Sequence, residues 1–188
     1  MINVIHTSIP GVVIIEPKVF GDDRGYFFES FNARDFSDAT GLDVAFVQDN
    51  ESKSRYGVLR GMHFQSPPYT QSKLVRVVRG KVLDVVVDIR IDSPTFGKWV
   101  GCELSEENHR QFFAPKGMAH GFCVLSDEAV FQYKCDDFYH PEAEGGIMWN
   151  DPDIGIQWPI STAEVSLSER DKRHPLLKDF SSPFSFIQ

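Results

Sequence analysis

The sequence predicts an all-β fold, a jelly-roll β-sandwich with a few short helices. Short runs rich in Val, Ile, Phe and Tyr recur along the chain. Clusters of Gly, Pro, Asn and Asp interrupt them roughly every 8–12 residues, the spacing of sandwiches and barrels. With 188 residues, 41% hydrophobic and 24% charged, the chain has ordinary globular usage and enough length for one core, so residues 1–188 are expected to form a single domain.

Taken in order, Val12-Val13-Ile14-Ile15 follows the turn former Pro10-Gly11 and reads as an early strand. Gly21-Asp22-Asp23-Arg24-Gly25 is a turn. Tyr26 to Phe31 resumes an extended segment with Phe27, Glu29 and Phe31 on one face. Asn32 is placed to cap a short helix through Phe36 that ends near Gly41. An apolar strand, Val44-Ala45-Phe46-Val47, then runs into the polar patch Gln48 to Ser52, which reads as either a solvated loop or a binding segment. Leu74 to Val78 and Val82 to Arg90 flank Arg79-Gly80-Lys81, and the pattern predicts a hairpin. Trp99 to Leu104 is a further strand, and Phe112 to Pro115 enters the turn Lys116-Gly117. Phe122 to Leu125 and Ala129 to Cys135 flank Ser126-Asp127-Glu128, a second expected hairpin with Phe131, Tyr133 and Cys135 on one face. Beyond residue 140 the pattern loosens, and Ser168-Glu169-Arg170-Asp171 resembles the cap of a short helix stopped by Pro175.

Composition narrows the function. A net charge of −8 argues against nonspecific nucleic-acid binding, and an anionic small ligand would need a local cluster of Arg and Lys. No apolar run approaches the roughly 18 residues of a membrane span. The N-terminus lacks the basic and apolar regions of a signal peptide. Cys102, Cys123 and Cys135 are odd in number and widely spaced, so they suggest neither a disulfide framework nor a zinc knuckle. These features together predict a reduced, cytoplasmic enzyme or binding protein.

The most informative stretch is Leu59-Arg60-Gly61-Met62-His63-Phe64-Gln65. In a strand His63 and Gln65 share a face and Phe64 takes the other, so a histidine and an amide point into one enclosed space. Taken alone, His63 is more readily a core or surface histidine with a backbone partner. A second stretch, Pro115-Lys116-Gly117-Met118-Ala119-His120-Gly121-Phe122, has the spacing P-x-G-x-x-H. The two stretches resemble the paired motifs of the cupin superfamily of small jelly rolls. Metal-binding cupins carry His-x-His followed by Glu. Here Gln65 replaces the second histidine and no Glu follows before Val75, so no metal is expected.

Further motifs narrow the resemblance: Gly25-Tyr26-Phe27-Phe28-Glu29, Gln48-Asp49-Asn50, Lys73-Leu74-Val75-Arg76-Val77, Gly80-Lys81-Val82 and Trp149-Asn150-Asp151-Pro152. In this order, and over nearly the whole chain, they are similar to the dTDP-4-dehydrorhamnose 3,5-epimerase family. The resemblance implies a metal-free, cofactor-free cupin-type homodimer acting on a dTDP-linked 4-keto-6-deoxyhexose, with neither nucleic acid nor membrane as partner. It further implies that His63 is the base, Asp171 orients it, Lys73 stabilises the enolate and Tyr133 is the acid on the far face. For substrate binding it implies Arg24, Phe27, Glu29, Gln48, Asn50, Arg60, His120, Glu144 and Arg170, the last at a position where the family has lysine. Singly, Lys73 could be a solvated strand lysine, Tyr133 a core tyrosine and Asp171 part of a helix cap. Three other readings stay open at this level: an epimerase acting on C3 or C5 alone, a metal-dependent cupin enzyme, and a non-catalytic sugar-nucleotide binding module.

Overall fold

The computed structural model describes residues 2–186. Its strands are β1 (Ile2–His6), β2 (Val13–Pro17), β3 (Phe20–Asp22), β4 (Gly25–Phe27), β5 (Gln48–Arg55), β6 (Leu59–Gln65), β7 (Lys73–Arg79), β8 (Lys81–Asp88), β9 (Trp99–Ser105), β10 (Gln111–Ala114), β11 (Met118–Val124), β12 (Glu128–Cys135) and β13 (Glu144–Gly146). One sheet has the order β1-β2-β10-β7-β12-β5 and a second the order β13-β6-β11-β8-β9, while β3 and β4 form a separate hairpin. The pairings are antiparallel, so the expected jelly-roll β-sandwich is the fold observed.

The period-2 pattern explains which face each strand buries. Along β8, Val82 and Val86 point into the core between the sheets, while Val85 and Val87, with Ile89 just past the strand, pack outward under the C-terminal segment. On β10 the neighbours Phe112 and Phe113 go to opposite faces. Phe112 joins the inter-sheet core and Phe113 lies beneath α1 (Ala33–Thr40). Truncating either phenylalanine to Ala would cost about 3–5 kcal/mol. The helix forms as its caps predict: the Asn32 side chain accepts from the Arg34 and Asp35 amides, and Gly41 closes it in the left-handed conformation.

Two expected hairpins are not hairpins. β7 and β8 are joined by Gly80 alone, yet β7 lies in the six-stranded sheet and β8 in the five-stranded one. β11 and β12 separate in the same way across Ser126. Gly80, at φ +76, turns the chain from one layer to the other instead of folding it back in plane. Alternating hydrophobicity does not reveal this, because each strand buries a face in either arrangement. The segment around Val44 is not a strand, and its apolar side chains pack on Phe36. The polar patch is the strand: on β5, Asp49, Glu51, Lys53 and Arg55 face solvent while Gln48, Asn50, Ser52 and Ser54 face inward. β5 ends its sheet, where outward charges guard an exposed edge.

The C-terminal segment has little regular structure but is firmly held. Asp151, 1% exposed, accepts from the Asp153, Ile154 and Leu177 amides. Leu59 donates to the Ser166 carbonyl, which fixes the segment across the start of β6. Ser168 Oγ accepts from the Asp171 amide, and a single 3-10 turn, Asp171–Arg173, follows.

Candidate active site

A cavity of about 430 Å³ opens at one end of the sandwich. The five-stranded sheet supplies Arg60 and His63 from β6, His120 from β11 and Glu144 from β13. The facing sheet supplies Lys73 from β7 and Tyr133 from β12, and the C-terminal segment closes the rim with Arg170 and Asp171. Strict alternation would put Arg60 and His63 on opposite faces. The β6–β11 register slips between the pairs His63↔His120 and Arg60↔Phe122, so β6 carries one extra residue there and both side chains reach the cavity.

His63 Nε2 lies 2.5 Å from Asp171 Oδ1. With the Nε2 proton given to the carboxylate, Nδ1 carries the lone pair and is the nitrogen that can take a proton. Asp171 is nearly enclosed. Burial pushes its carboxyl up, but the His174 and His63 rings, with the charge of His63 and the Ser168 hydroxyl, more than reverse this and hold it well below the usual carboxylate range. Tyr133 sits on the opposite sheet, its hydroxyl pushed up chiefly by burial and held protonated at neutral pH. Lys73 Nζ is 5.9 Å from the Tyr133 ring centroid. Burial lowers its ammonium below the ordinary lysine value, against the pull of Cys135, Glu144 and Asp84. A lysine held this way places its amine close to the point where a proton can be delivered.

His120 is anchored from below by Asp84, a residue not anticipated from the sequence. Its signal was available: an aspartate at the core-facing phase of a Val-rich strand requires a partner. His174 was also missed. It sits against Asp171 in a segment without periodicity, where no pattern could have singled it out. Gln65 shares the phase of His63 but is fully engaged elsewhere. Its amide donates to the Tyr69 and Phe138 carbonyls and its oxygen accepts from the His140 amide, which ties two loops together.

The remaining expected binding residues divide into two groups. Gln48 and Asn50 are on the inward face of β5 in line with Ser52, which does line the cavity. They bond to each other at 3.1 Å, and the Tyr139 amide donates to Gln48. Arg24, Phe27 and Glu29 do not reach the cavity of their own chain. Arg24 is paired with Asp22 on the exposed β3–β4 hairpin, Phe27 is 70% exposed, and Glu29 borders a shallow groove with Ile2 and Lys18.

His63, Asp171 and His174 form a group of the composition that holds metals. Two donors on one tetrahedral zinc stand about 3.3 Å apart. The 2.5 Å between His63 Nε2 and Asp171 Oδ1 is a hydrogen-bond separation.

Fold and cavity define a cupin-type sugar-nucleotide isomerase scaffold in which a histidine and a tyrosine face each other from two sheets. The chain belongs to the dTDP-4-dehydrorhamnose 3,5-epimerase family, whose sequence profile matches residues 6–179. It is 61% identical over 164 residues to the dTDP-4-dehydrorhamnose 3,5-epimerase of Shigella flexneri, covering 87% of this chain and 91% of that one. It superposes at TM-score 0.95 and 51% identity, over 100% of both chains, on dTDP-6-deoxy-D-glucose-3,5-epimerase of Legionella pneumophila Philadelphia 1 in complex with dTDP-4-keto-L-rhamnose. A 3'-monoepimerase from Streptomyces bikiniensis in complex with dTDP-quinovose is 39% identical at TM-score 0.86, covering 92% of this chain and 86% of that one.

Proposed function

We propose that the protein inverts C3 and C5 of dTDP-4-dehydro-6-deoxy-D-glucose to give dTDP-4-dehydro-L-rhamnose, the step before reduction to dTDP-L-rhamnose for cell-surface polysaccharide. The observation that carries this reading is the placement of His63 and Tyr133 on facing sheets of one cavity. The hydrogens on C3 and C5 are acidic because both carbons flank the 4-ketone. His63 Nδ1 takes each proton, and Asp171 holds the ring and balances the imidazolium. Lys73 stabilises the enolate oxygen, and Tyr133 returns a proton to the opposite face. Arg60 and Arg170 supply the local positive charge that an anionic substrate needs against a net charge of −8. His120 and Glu144 complete the contacts to sugar and nucleotide. This chemistry calls for neither a metal nor a cofactor, and a cytoplasmic site suits a nucleotide-sugar substrate.

The protein acts as a homodimer in this reading. Phe20, Tyr26 and Phe27 stand exposed on the β3–β4 hairpin, and Arg24, Phe27 and Glu29 lie outside their own cavity. Both facts are accounted for if the hairpin reaches the cavity of a second copy, while Gln48 and Asn50 extend the floor from within the same chain.

Incubation with dTDP-4-keto-6-deoxyglucose in deuterated water tests the assignment. Deuterium is expected at both C3 and C5. Incorporation at one carbon alone would assign the chain to the single-centre epimerases, and no incorporation would refute the reading. The relatives at 61% and 56% identity are named 3,5-epimerases, which favours inversion at both centres.

A further inference from the structure

We propose that His174 is a positioning residue for the reaction, sharing the Asp171 carboxylate with His63 and so setting how tightly that carboxylate grips the base. The inference rests on the function proposed above. His174 Nε2 lies 3.5 Å from Asp171 Oδ1, the oxygen that His63 Nε2 meets at 2.5 Å. The two imidazoles meet edge to face, with centroids 5.6 Å apart. The His174 side chain is 9% exposed, and its Nε2 is buried with no hydrogen-bond partner, although it is aimed at a carboxylate. A buried imidazole nitrogen left in that state costs free energy, and a small ring movement toward Oδ1 would satisfy it.

The fold builds this position on purpose-fitted space. Gly146 pairs with His63 across β13 and β6, and a Cβ at residue 146 would stand 2.5 Å from the His174 ring atoms. The absence of a side chain at 146 is what admits the second imidazole beside the first. The titratable groups facing this pair are Lys73 on β7, Tyr133 on β12, His120 on β11, Glu144 on β13 and Arg170 on the His63 side, and Glu144, Glu169, Arg170 and Arg173 on the His174 side.

The consequence follows from sharing. Once the His174 ring closes on Oδ1, the carboxylate answers two N–H donors and holds each less strongly than it would a single donor. When His174 is lost, Asp171 keeps His63 as its partner at 2.5 Å. Without His174 its whole charge would act on His63, the imidazolium would be favoured, and the free base would be available only at higher pH.

The test compares wild type with His174→Leu, His174→Gln and Gly146→Ala. Two readouts are used: the pH profile of kcat/KM with dTDP-4-keto-6-deoxyglucose, and the downfield proton resonance of the His63–Asp171 hydrogen bond in protein without substrate. In His174→Leu the acid limb should move to higher pH by on the order of half a unit, and the resonance should move further downfield. Gly146→Ala, which displaces the ring without altering either partner, should do the same. His174→Gln keeps a donor and should restore both toward wild type. An unmoved limb and resonance in His174→Leu, or a His174→Gln that behaves like His174→Leu, would overturn the proposal. An inactive wild type would refute the functional reading and leave the resonance to decide this one.

Discussion

His120 and Asp84 form a buried pair between neighbouring strands, with His120 Nε2 2.9 Å and 3.0 Å from the two carboxylate oxygens. Asp84 is 0% exposed. Burial pushes its carboxyl up, while His120 and Lys73 pull it back. Breaking such a pair leaves a buried polar group without its partner, so Asp84→Ala, which removes the acceptor, should lose about 3 kcal/mol of stability. Urea denaturation measures this, and an unchanged midpoint would mean that the pair contributes nothing.

His63→Ala should abolish solvent exchange at C3 and C5 together, because one base serves both centres. Loss of a general base lowers the rate about 10²–10⁴-fold. Mass spectrometry of product formed in deuterated water reads both positions, and wash-in persisting at either carbon would point to a second base.

Tyr133→Phe should separate proton removal from inversion. The ring and its contacts with Phe131 remain, so folding should be little affected. Exchange with retention should survive better than net epimerisation. A variant that makes the L-rhamno product at the parental rate would remove tyrosine from the acid role.

Dialysis against a strong chelator should leave the rate unchanged. The donor spacing around Asp171 fits protons, and Gln65, the residue in place of a second cupin histidine, spends its amide on loop carbonyls. Activity lost on chelation and regained with one divalent ion is the outcome against it.

Mixing two inactive variants should restore activity if the hairpin serves a second copy. Arg24→Ala lacks a donated group and His63→Ala lacks the base. After random exchange half the dimers are mixed and one of their two sites is intact, so roughly a quarter of parental activity should return. Silence after verified exchange would mean that the hairpin does not serve a second copy.

The legible parts of the molecule were those with a local cause. Asn32 and Gly41 bracket α1 because capping is decided within a few residues. The face shared by His63 and Gln65 follows from strand geometry, and the P-x-G-x-x-H spacing led to His120. Topology was less accessible, because Gly80 and Ser126 read as hairpin turns while each hands the chain to the other sheet. The strand character of Gln48–Arg55 was hidden by polar residues on both faces, one set toward solvent and one toward the interior. Asp171 and His174 come together through the 3-10 turn, a contact that no periodicity announces.

The layer-to-layer crossings at Gly80 and Ser126 bear on how the molecule is made. Neither β7 with β8 nor β11 with β12 can zip together as they emerge, so β7 must wait for β10 and β12, and β6 for β11. Chains dominated by such distant pairings search slowly, on the order of milliseconds to seconds. Lys73 and Tyr133 on one layer, and His63 and His120 on the other, acquire their shared cavity only when the layers close. Pulsed hydrogen exchange during refolding should therefore find the amides of β6 and β7 gaining protection in the same kinetic phase, with catalytic competence arriving no earlier than the closed sandwich.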